Sequence, residues 1–171
     1  MKIREATPAD ARAIAQVHTR SWQVAYRGLI DQAYLDSLSV DDGEKGWEER
    51  LESDGAGVWV ACEGMNVVGF ASVGPSPDDD DDPQKVGHLF TLYVAPENFG
   101  GGAGAALLEE AVTYLREAGF REATLWVLDN NAGARRFYER HGWGDDGGRK
   151  DCFGKRRPVE APVVRYRRRL D

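Results

Sequence analysis

The amino-acid sequence predicts one α/β domain over residues 1–171, built on a central mixed, mostly antiparallel sheet of about six to seven strands flanked by helices. Two patterns carry this prediction. β-rich runs at 58–62 and 67–71 flank a short turn, which is typical of an antiparallel hairpin. From residue 87 onward, apolar strand patterns alternate with helical patterns, which favours parallel strands joined by helices. A chain of 171 residues suits one compact domain.

The first third of the chain is predicted to be a strand followed by three helices. The strand covers residues 3–6. Thr7 can cap a helix, Pro8 suits the first helical position and Asp10 completes a capping box, so the first helix starts here. Apolar and aromatic residues recur at helical spacing as far as Trp22, and two shorter helical patterns follow before the hairpin.

The second half of the chain alternates strands and helices. A strand at 87–94 runs into a glycine cluster, and the helix that follows is expected to end at Gly119. A strand at 123–128 and a helix at 131–140 come next. A strand at 163–170 closes the sheet.

Composition excludes several classes of protein. The chain is 42% hydrophobic and 30% charged, as in globular proteins, and no apolar run reaches the ~18–20 residues of a membrane span. A net charge of −7 argues against general nucleic-acid binding. Two distant cysteines, Cys62 and Cys152, exclude a disulfide scaffold and a four-cysteine zinc site. We expect a reduced cytoplasmic location, with no metal and no membrane partner.

Two segments are predicted to be loops. Residues 75–86 contain three prolines and five consecutive aspartates, whose like charges repel and favour a flexible, solvated segment. Residues 144–160 begin with a Gly-Asp-Asp-Gly-Gly run that is typical of a turn.

The carboxyl-terminal part of the chain is basic. From Arg149 to Asp171 there are nine basic and three acidic residues. These charges could meet an anionic cofactor, but we favour an exposed edge strand that is kept soluble by its charge.

A glycine loop between the strand at 87–94 and the next helix is the first candidate binding site. It contains Phe99, Gly100, Gly101, Gly102, Ala103 and Gly104. Glycine allows close backbone approach to a ligand, and a helix start offers unpaired N–H groups and the positive end of its dipole. Three interpretations compete: a P-loop, which lacks its Lys-Ser/Thr ending; a degenerate dinucleotide fingerprint; and a turn without ligand.

A second motif follows the strand at 123–128. Asn131, Ala134, Phe137 and Tyr138 keep a spacing of three to four residues and share one helical face. Asn131 carries both an amide donor and an acceptor, and Tyr138 carries a phenol that can give a proton.

Together these two segments resemble the GNAT superfamily of acyl-CoA-dependent N-acyltransferases. Gly102 and Gly104 match the glycines of its pyrophosphate loop, (Arg/Gln)-x-x-G-x-(G/A). The run from Asn131 to Trp143 matches its N-x-x-A-x-x-(F/L)-Y-x-(K/R)-x-G-F segment. The residues from Trp22 to Ile30 also resemble a bacterial subgroup related to PaiA-type polyamine acetyltransferases, a less specific match.

One residue departs from the family pattern. Phe99 stands where relatives usually have Arg or Gln, and its ring cannot donate a hydrogen bond to a pyrophosphate. We therefore expect weakened cofactor binding. Arg135, Arg136 or Arg140 could supply the missing charge, and an exposed helix face is the alternative interpretation of each.

The resemblance implies direct acetyl transfer from acetyl-CoA to an amine. Main-chain groups near Leu92 and Val94 would hold the thioester carbonyl, Asn131 would bind the cofactor's pantetheine arm, and Tyr138 would protonate the departing thiolate. His88, where relatives often carry Glu, is our candidate general base. Glu97, Asp129 and a water chain are the alternatives.

The acceptor is expected to be a small-molecule amine or a peptide. Trp22 and Tyr26 are candidate acceptor-binding residues, whereas packing is the favoured interpretation of His18. Two other functions stay open: a CoA-binding sensor or partner module with little transferase activity, and a dinucleotide oxidoreductase. Homodimer formation also stays open.

Overall fold

The computed structural model describes residues 1–53, 55, 57–154 and 158–171. Seven strands form one sheet in the order β1-β2-β3-β4-β5-β7-β6. The strands are β1 (Lys2–Glu5), β2 (Val58–Glu63), β3 (Asn66–Pro75), β4 (Val86–Val94), β5 (Glu122–Leu128), β6 (Gly144–Phe153) and β7 (Val159–Arg169). The helices are α1 (Ala11–Ala25), α2 (Gln32–Asp36), α3 (Val40–Leu51), α4 (Ala103–Glu117) and α5 (Ala132–Arg140). Among the described residues, β4 and β5 form the one parallel pair, so the predicted mixed, mostly antiparallel sheet is confirmed.

The start of α1 confirms the predicted capping box. Thr7 donates its backbone N–H to Asp10 Oδ2 at 2.8 Å, and a short 3-10 helix over Pro8–Asp10 leads into α1. Arg4 on β1 donates two hydrogen bonds of 2.8 Å to the Asp10 carboxylate, which lowers the pKa of this carboxyl group. The pair thereby ties the first strand to the first helix.

The helices cover both faces of the sheet. α4 buries Leu107, Leu108 and Leu115 on one face, in the larger core. α1 and α3 pack on the other face, where Ile14 and Trp47 lie in a second core with residues of β2 and β3. Across the described ranges, no helix is long and apolar enough to cross a bilayer.

The strands β4 and β5 separate along their length. Their parallel pairing joins Val86 to Glu122 and ends with Leu89 and Leu125, although both strands continue beyond these residues. On its other side β4 stays paired with β3. Phe90 is an extra residue on β4, because the consecutive β3 residues Ser72 and Val73 pair with Thr91 and Leu89. A gap therefore opens between the carboxyl ends of β4 and β5, where the two predicted motifs begin.

The expectation of a loop over 144–160 is wrong for residues 144–153. These residues form β6, an exposed edge strand paired with β7. The pairing is irregular between Asp145 and Arg149, where Gly147 takes a φ of +93°. Glycine and aspartate have low β-propensity, but main-chain pairing with the long β7 overrides it. The part of the predicted loop at 155–157 lies outside the described residues.

Residues 76–85 form neither a helix nor a strand, as expected of a loop, but two of the five aspartates are not solvated. The side chains of Asp78 and Asp81 are only 3% exposed. Arg165 on β7 donates hydrogen bonds to Asp78 and Asp80, and Arg167 donates one to Asp81. Like charges can be buried together here because cations from a distant part of the chain neutralise them.

The basic carboxyl-terminal segment accordingly has a different role from the expected one. Arg165 and Arg167 lie on β7, which is an internal strand between β5 and β6. Arg149 and Lys150 do lie on the edge strand β6, and Lys150 donates a 2.8 Å hydrogen bond to Asp78.

Candidate active site

The glycine loop presents a row of unpaired backbone donors at the start of α4. Gly102 is the N-cap with a φ of +86°, and the first intrahelical bond runs from Ala106 N–H to Gly102 O. The N–H groups of Gly102, Ala103, Gly104 and Ala105 make no hydrogen bond to any described residue. Such a row at the positive end of a 15-residue helix is suited to bind phosphate groups.

The loop leaves room for a ligand. A Cβ atom built on Gly100 or Gly102 would meet nothing within 4 Å, and Gly100 also has a positive φ of +79°. Gly101 donates its N–H to Asn98 O at 3.3 Å, which fixes the turn before the helix. The loop is therefore shaped by its own backbone and open on its outer side.

Charged side chains near the loop are few. Phe99 is 56% exposed and brings no polar group. Arg135 donates hydrogen bonds to Tyr166 Oη and to the Asp129 carboxylate, so it is engaged within the protein. Arg136 and Arg140 are exposed on α5 and make no ion pair with described residues, which leaves them as the candidate cations for phosphates.

The start of α5 brings the second motif to the same place. Asn131 caps α5 by accepting the Ala134 N–H at its Oδ1, 3.2 Å away. Its amide NH2 group is left to bind a ligand. A Cβ on Gly104 would lie 3.7 Å from the Phe137 ring, so the start of α4 lies against α5.

The backbone of β4 forms one side of the gap between β4 and β5. Leu92 and Val94 point their side chains into the α4 core, and their main-chain groups face the gap where β5 has separated. The Val94 carbonyl accepts a 2.9 Å hydrogen bond from Ser21 Oγ. This contact joins the end of β4 to α1.

Tyr138 is a half-buried phenol on α5. Its ring lies 5.3 Å from that of Phe137 and 6.3 Å from that of Trp143. Burial, and after it the nearby Tyr93, raises the pKa of Tyr138 above its usual value. The phenol is consequently protonated at neutral pH and can act as a proton donor.

A large cavity lies on the α1 side of the sheet. It measures about 960 Å³ and includes Trp22, Tyr26, His88, Tyr93 and Trp126 in its wall. Rings of the wall pack edge to face, with Trp22 5.0 Å from Tyr26. The predicted residues Trp22, Tyr26 and His88 thus share one cavity.

His88 is buried on β4 at the bottom of this cavity. Its Nδ1 lies 2.8 Å from Thr124 Oγ1, and that hydroxyl also approaches Gly87 O at 3.4 Å. If the hydroxyl donates to Gly87 O, it accepts from His88 Nδ1–H, and Nε2 becomes the basic nitrogen. The alternative bases Glu97 and Asp129 are each ion-paired with an arginine.

Among the residues of the cavity wall that the sequence prediction missed, two bear most directly on the site. Tyr93 was not singled out, because a strand tyrosine between leucine and valine looks like a core residue. His18 was expected to pack only, and it stacks on Tyr93 with ring centroids 5.3 Å apart and an interplanar angle of 11°. The alternation of β4 offers one signal, because Tyr93 points away from the face that Leu92 and Val94 share.

One group of carboxylates among the described residues has the spacing of a metal site. It consists of Asp78, Asp80 and Asp81. Arg165 and Arg167 already neutralise this group, so its chemistry is that of an ion-pair network.

Comparison with known proteins identifies the family. The family model for the acetyltransferase (GNAT) family matches residues 17–143. The uncharacterized N-acetyltransferase YuaI of Bacillus subtilis is 36% identical over 130 residues, covering 75% of this chain and 72% of the relative. An uncharacterized N-acetyltransferase of Archaeoglobus fulgidus is 38% identical over 138 residues, covering 81% and 89%.

Solved structures share the fold. The crystal structure of a PaiA N-acetyltransferase from Thermoplasma acidophilum in complex with coenzyme A aligns over 98% of both chains with a TM-score of 0.77, at 19% identity. The sheet, the glycine loop and the family match agree, and the chain belongs to the GNAT family of acetyltransferases.

Proposed function

We propose that the protein transfers an acetyl group from acetyl-CoA to an amine of a small molecule or peptide by direct attack. The observation that carries this proposal is the row of unpaired N–H groups from Gly102 to Ala105, next to Asn131, at the open end of the gap between β4 and β5. The gap and the aromatic cavity meet at β4, so a thioester and an amine could approach the same strand from opposite sides.

The residues present fit both substrates. The N-terminus of α4 would hold the pyrophosphate, the exposed Arg136 and Arg140 are the candidate cations, and the Asn131 amide would bond the pantetheine arm. Main-chain groups at Leu92 and Val94 would hold the thioester carbonyl. The amine would enter through the cavity that contains Trp22, Tyr26 and His88.

The chemistry then needs a base and an acid. An alkyl ammonium has a pKa near ~10, so it must first lose a proton, and His88 is the candidate acceptor of that proton. The free amine nitrogen forms a bond to the thioester carbon, and the carbon–sulfur bond breaks with its electron pair on sulfur. Tyr138 gives its proton to that thiolate. The nitrogen releases its second proton to water to reach the neutral amide, and the Tyr138 phenolate takes a proton back from water.

The proposed location is the cytoplasm, and the free thiols of Cys62 and Cys152 support it. Homodimer formation stays a prediction. A CoA-binding module without transferase activity is the second candidate function, because Phe99 leaves the loop without its usual polar side chain.

Replacing Tyr138 tests the proposal. Tyr138→Phe keeps the ring and removes the proton donor, so kcat and kcat/KM should fall together. We expect a fall of about 10²-fold, at the low end of the range for a positioned acid, because a thiolate is a good leaving group even without protonation. Calorimetric affinity for acetyl-CoA should stay near that of the wild type. CoA thiol release with a panel of polyamines, amino acids, aminoglycosides and peptides measures the rate.

Tyr114→Phe is the matched control. Tyr114 packs on Trp59 away from the cavity, and its variant should keep wild-type turnover. Full turnover in Tyr138→Phe, with chemistry shown to limit the rate, would refute the role of Tyr138. Binding of acetyl-CoA by the wild type with no thiol release for any amine would favour the binding module instead.

A further inference from the structure

Two phenols in the cavity wall form a hydrogen-bonded pair. Tyr26 follows the last residue of α1, and its Oη lies 3.3 Å from Tyr93 Oη on β4. Neither hydroxyl makes another hydrogen bond of good geometry to a described residue, although the Trp22 indole is near enough to the Tyr93 hydroxyl to offset part of the rise in its pKa that burial causes. A phenol has one proton to donate and two lone pairs, so a pair that shares one bond keeps a donor and further acceptors unused.

A third polar group beside the pair is also unused. Trp22 is 8% exposed, and its indole Nε1 has no hydrogen-bond partner among the described residues. Its ring lies 5.0 Å from that of Tyr26 and 6.2 Å from that of Tyr93. Buried polar atoms almost always have at least one hydrogen-bond partner, so the indole without a well-placed partner, beside two hydroxyls that can accept more bonds, indicates that a ligand completes this part of the wall.

The pair lies where the two substrates would meet. Tyr93 comes after the point at which β4 separates from β5, and its side chain is on the cavity face of β4. Tyr138 on α5 is near enough to Tyr93 for the Tyr93 phenol to contribute, after burial, to the raised pKa of Tyr138. The hydroxyl pair thus lies in the cavity wall, near the proposed acid.

We propose that the Tyr26–Tyr93 hydroxyl pair receives the attacking amino group. Tyr93 Oη accepts one N–H of the amine and so directs the nitrogen lone pair toward the thioester carbon. Tyr26 is a positioning residue that holds the Tyr93 hydroxyl through their shared hydrogen bond. This assignment rests on the proposed acetyl transfer and adds the residue that orients its nucleophile.

The electrostatic surroundings agree with this role. Burial raises the pKa of Tyr26 and of Tyr93, so both hydroxyls are neutral near pH 7. Burial also lowers the pKa of His18 to about 4, so the imidazole stacked on Tyr93 carries no positive charge that would repel an incoming ammonium. A neutral phenol oxygen among aromatic rings can accept an N–H group of the amine. It does not form the strong ion pair that a carboxylate would form with an ammonium.

The test compares Tyr93→Phe, Tyr26→Phe and the double variant, each with the amine that the wild type acetylates best. Tyr93→Phe should lower kcat/KM for the amine about tenfold to a hundredfold, as expected for a lost hydrogen bond to a reacting group. Calorimetric affinity for acetyl-CoA and the melting temperature should stay unchanged. Because Tyr26 acts through Tyr93, the double variant should be no slower than Tyr93→Phe alone.

The outcomes separate this assignment from the proposed function. Wild-type kcat/KM for the amine in Tyr93→Phe would overturn the assignment. A loss of acetyl-CoA affinity as large as the loss of kcat/KM would also overturn it, because Tyr93 would then act in cofactor binding or in folding. Additive losses in the double variant would remove Tyr26 from its positioning role and overturn the pair. A wild type that acetylates no amine would overturn the proposed function itself, and this assignment with it.

Discussion

His18 shows how one half-buried ring can be part of both the aromatic packing and a cavity wall. Its centroid lies 5.2 Å from that of Trp22 and 5.3 Å from that of Tyr93, on a helix that faces the sheet. Burial penalises the charged imidazolium, which lowers the pKa of His18 to about 4 from the usual ~6.5. The neutral ring therefore contributes aromatic contact without a charge at physiological pH.

The pKa of His18 predicts a pH effect on stability. Between about pH 6.5 and pH 4 the unfolded chain binds a proton at this residue and the folded chain does not, so the free energy of unfolding falls as the pH is lowered. In His18→Phe, the loss of unfolding free energy on lowering the pH should be smaller by about 1–3 kcal/mol. The size is limited because a residue in the wall of an open cavity is only partly desolvated. Urea unfolding at pH 7 and pH 4.5 measures the difference.

A second variant separates titration from packing. His18→Gln also lacks a titrating ring, so it should show the same reduced pH dependence even if its stability at pH 7 is lower. A wild-type pH dependence in both variants would contradict the lowered pKa of His18.

At the scale of elements, α4 is positioned by the conformation of one glycine. Gly102 takes a φ of +86° at the N-cap, which non-glycine residues rarely adopt, and its outer side is open. Gly119 ends the same helix with a φ of +96° and open space around it. The two glycines are thus conformationally alike, and only Gly102 belongs to the proposed phosphate site.

This similarity gives a matched pair of variants. Gly102→Ala and Gly119→Ala should each cost about 1–2 kcal/mol of folding stability, the usual cost of a left-handed conformation with a Cβ. Only Gly102→Ala should weaken acetyl-CoA binding, by tenfold or more, because its methyl group occupies the space that the pyrophosphate needs. Calorimetry and thermal unfolding of both variants provide the measurements, and equal acetyl-CoA affinity in the two would exclude the loop as the phosphate site.

The same elements show what a sequence can reveal. The motifs at α4 and α5 were predictable because glycine spacing and the Asn131 to Tyr138 pattern depend on local geometry. Tyr93 was not predictable in this way, because its role depends on the separation of β4 from β5 and on the extra residue Phe90. β6 was missed for a related reason, since its glycines and aspartates gain their strand conformation only from pairing with β7.

At the scale of the whole molecule, opposite charges from distant parts of the sequence hold one side of the protein together. Arg165 on β7 reaches Asp78 and Asp80 before β4, and it also donates to Asp146 on β6. Burial alone would raise the pKa of Asp78, but hydrogen bonds from Lys150 and Arg165 outweigh it and lower the pKa. Asp78 also lines the cavity, so this network shapes part of the cavity wall.

Removing Arg165 should therefore be costly. Arg165→Met keeps much of the side-chain volume but leaves the carboxylate of Asp78, 3% exposed, with Lys150 as its remaining cation. Removing one partner of a buried ion pair typically costs about 3–5 kcal/mol of folding free energy. We expect a loss at the lower end of this range, because Lys150 still pairs with Asp78. Arg169→Met is the control, because Arg169 pairs with Asp171 in an exposed position where ion pairs contribute little, so its urea midpoint should barely move. Urea unfolding of both variants at pH 7 measures the difference in stability. Equal unfolding midpoints would show that Arg165 is not needed to hold the acidic segment against β7.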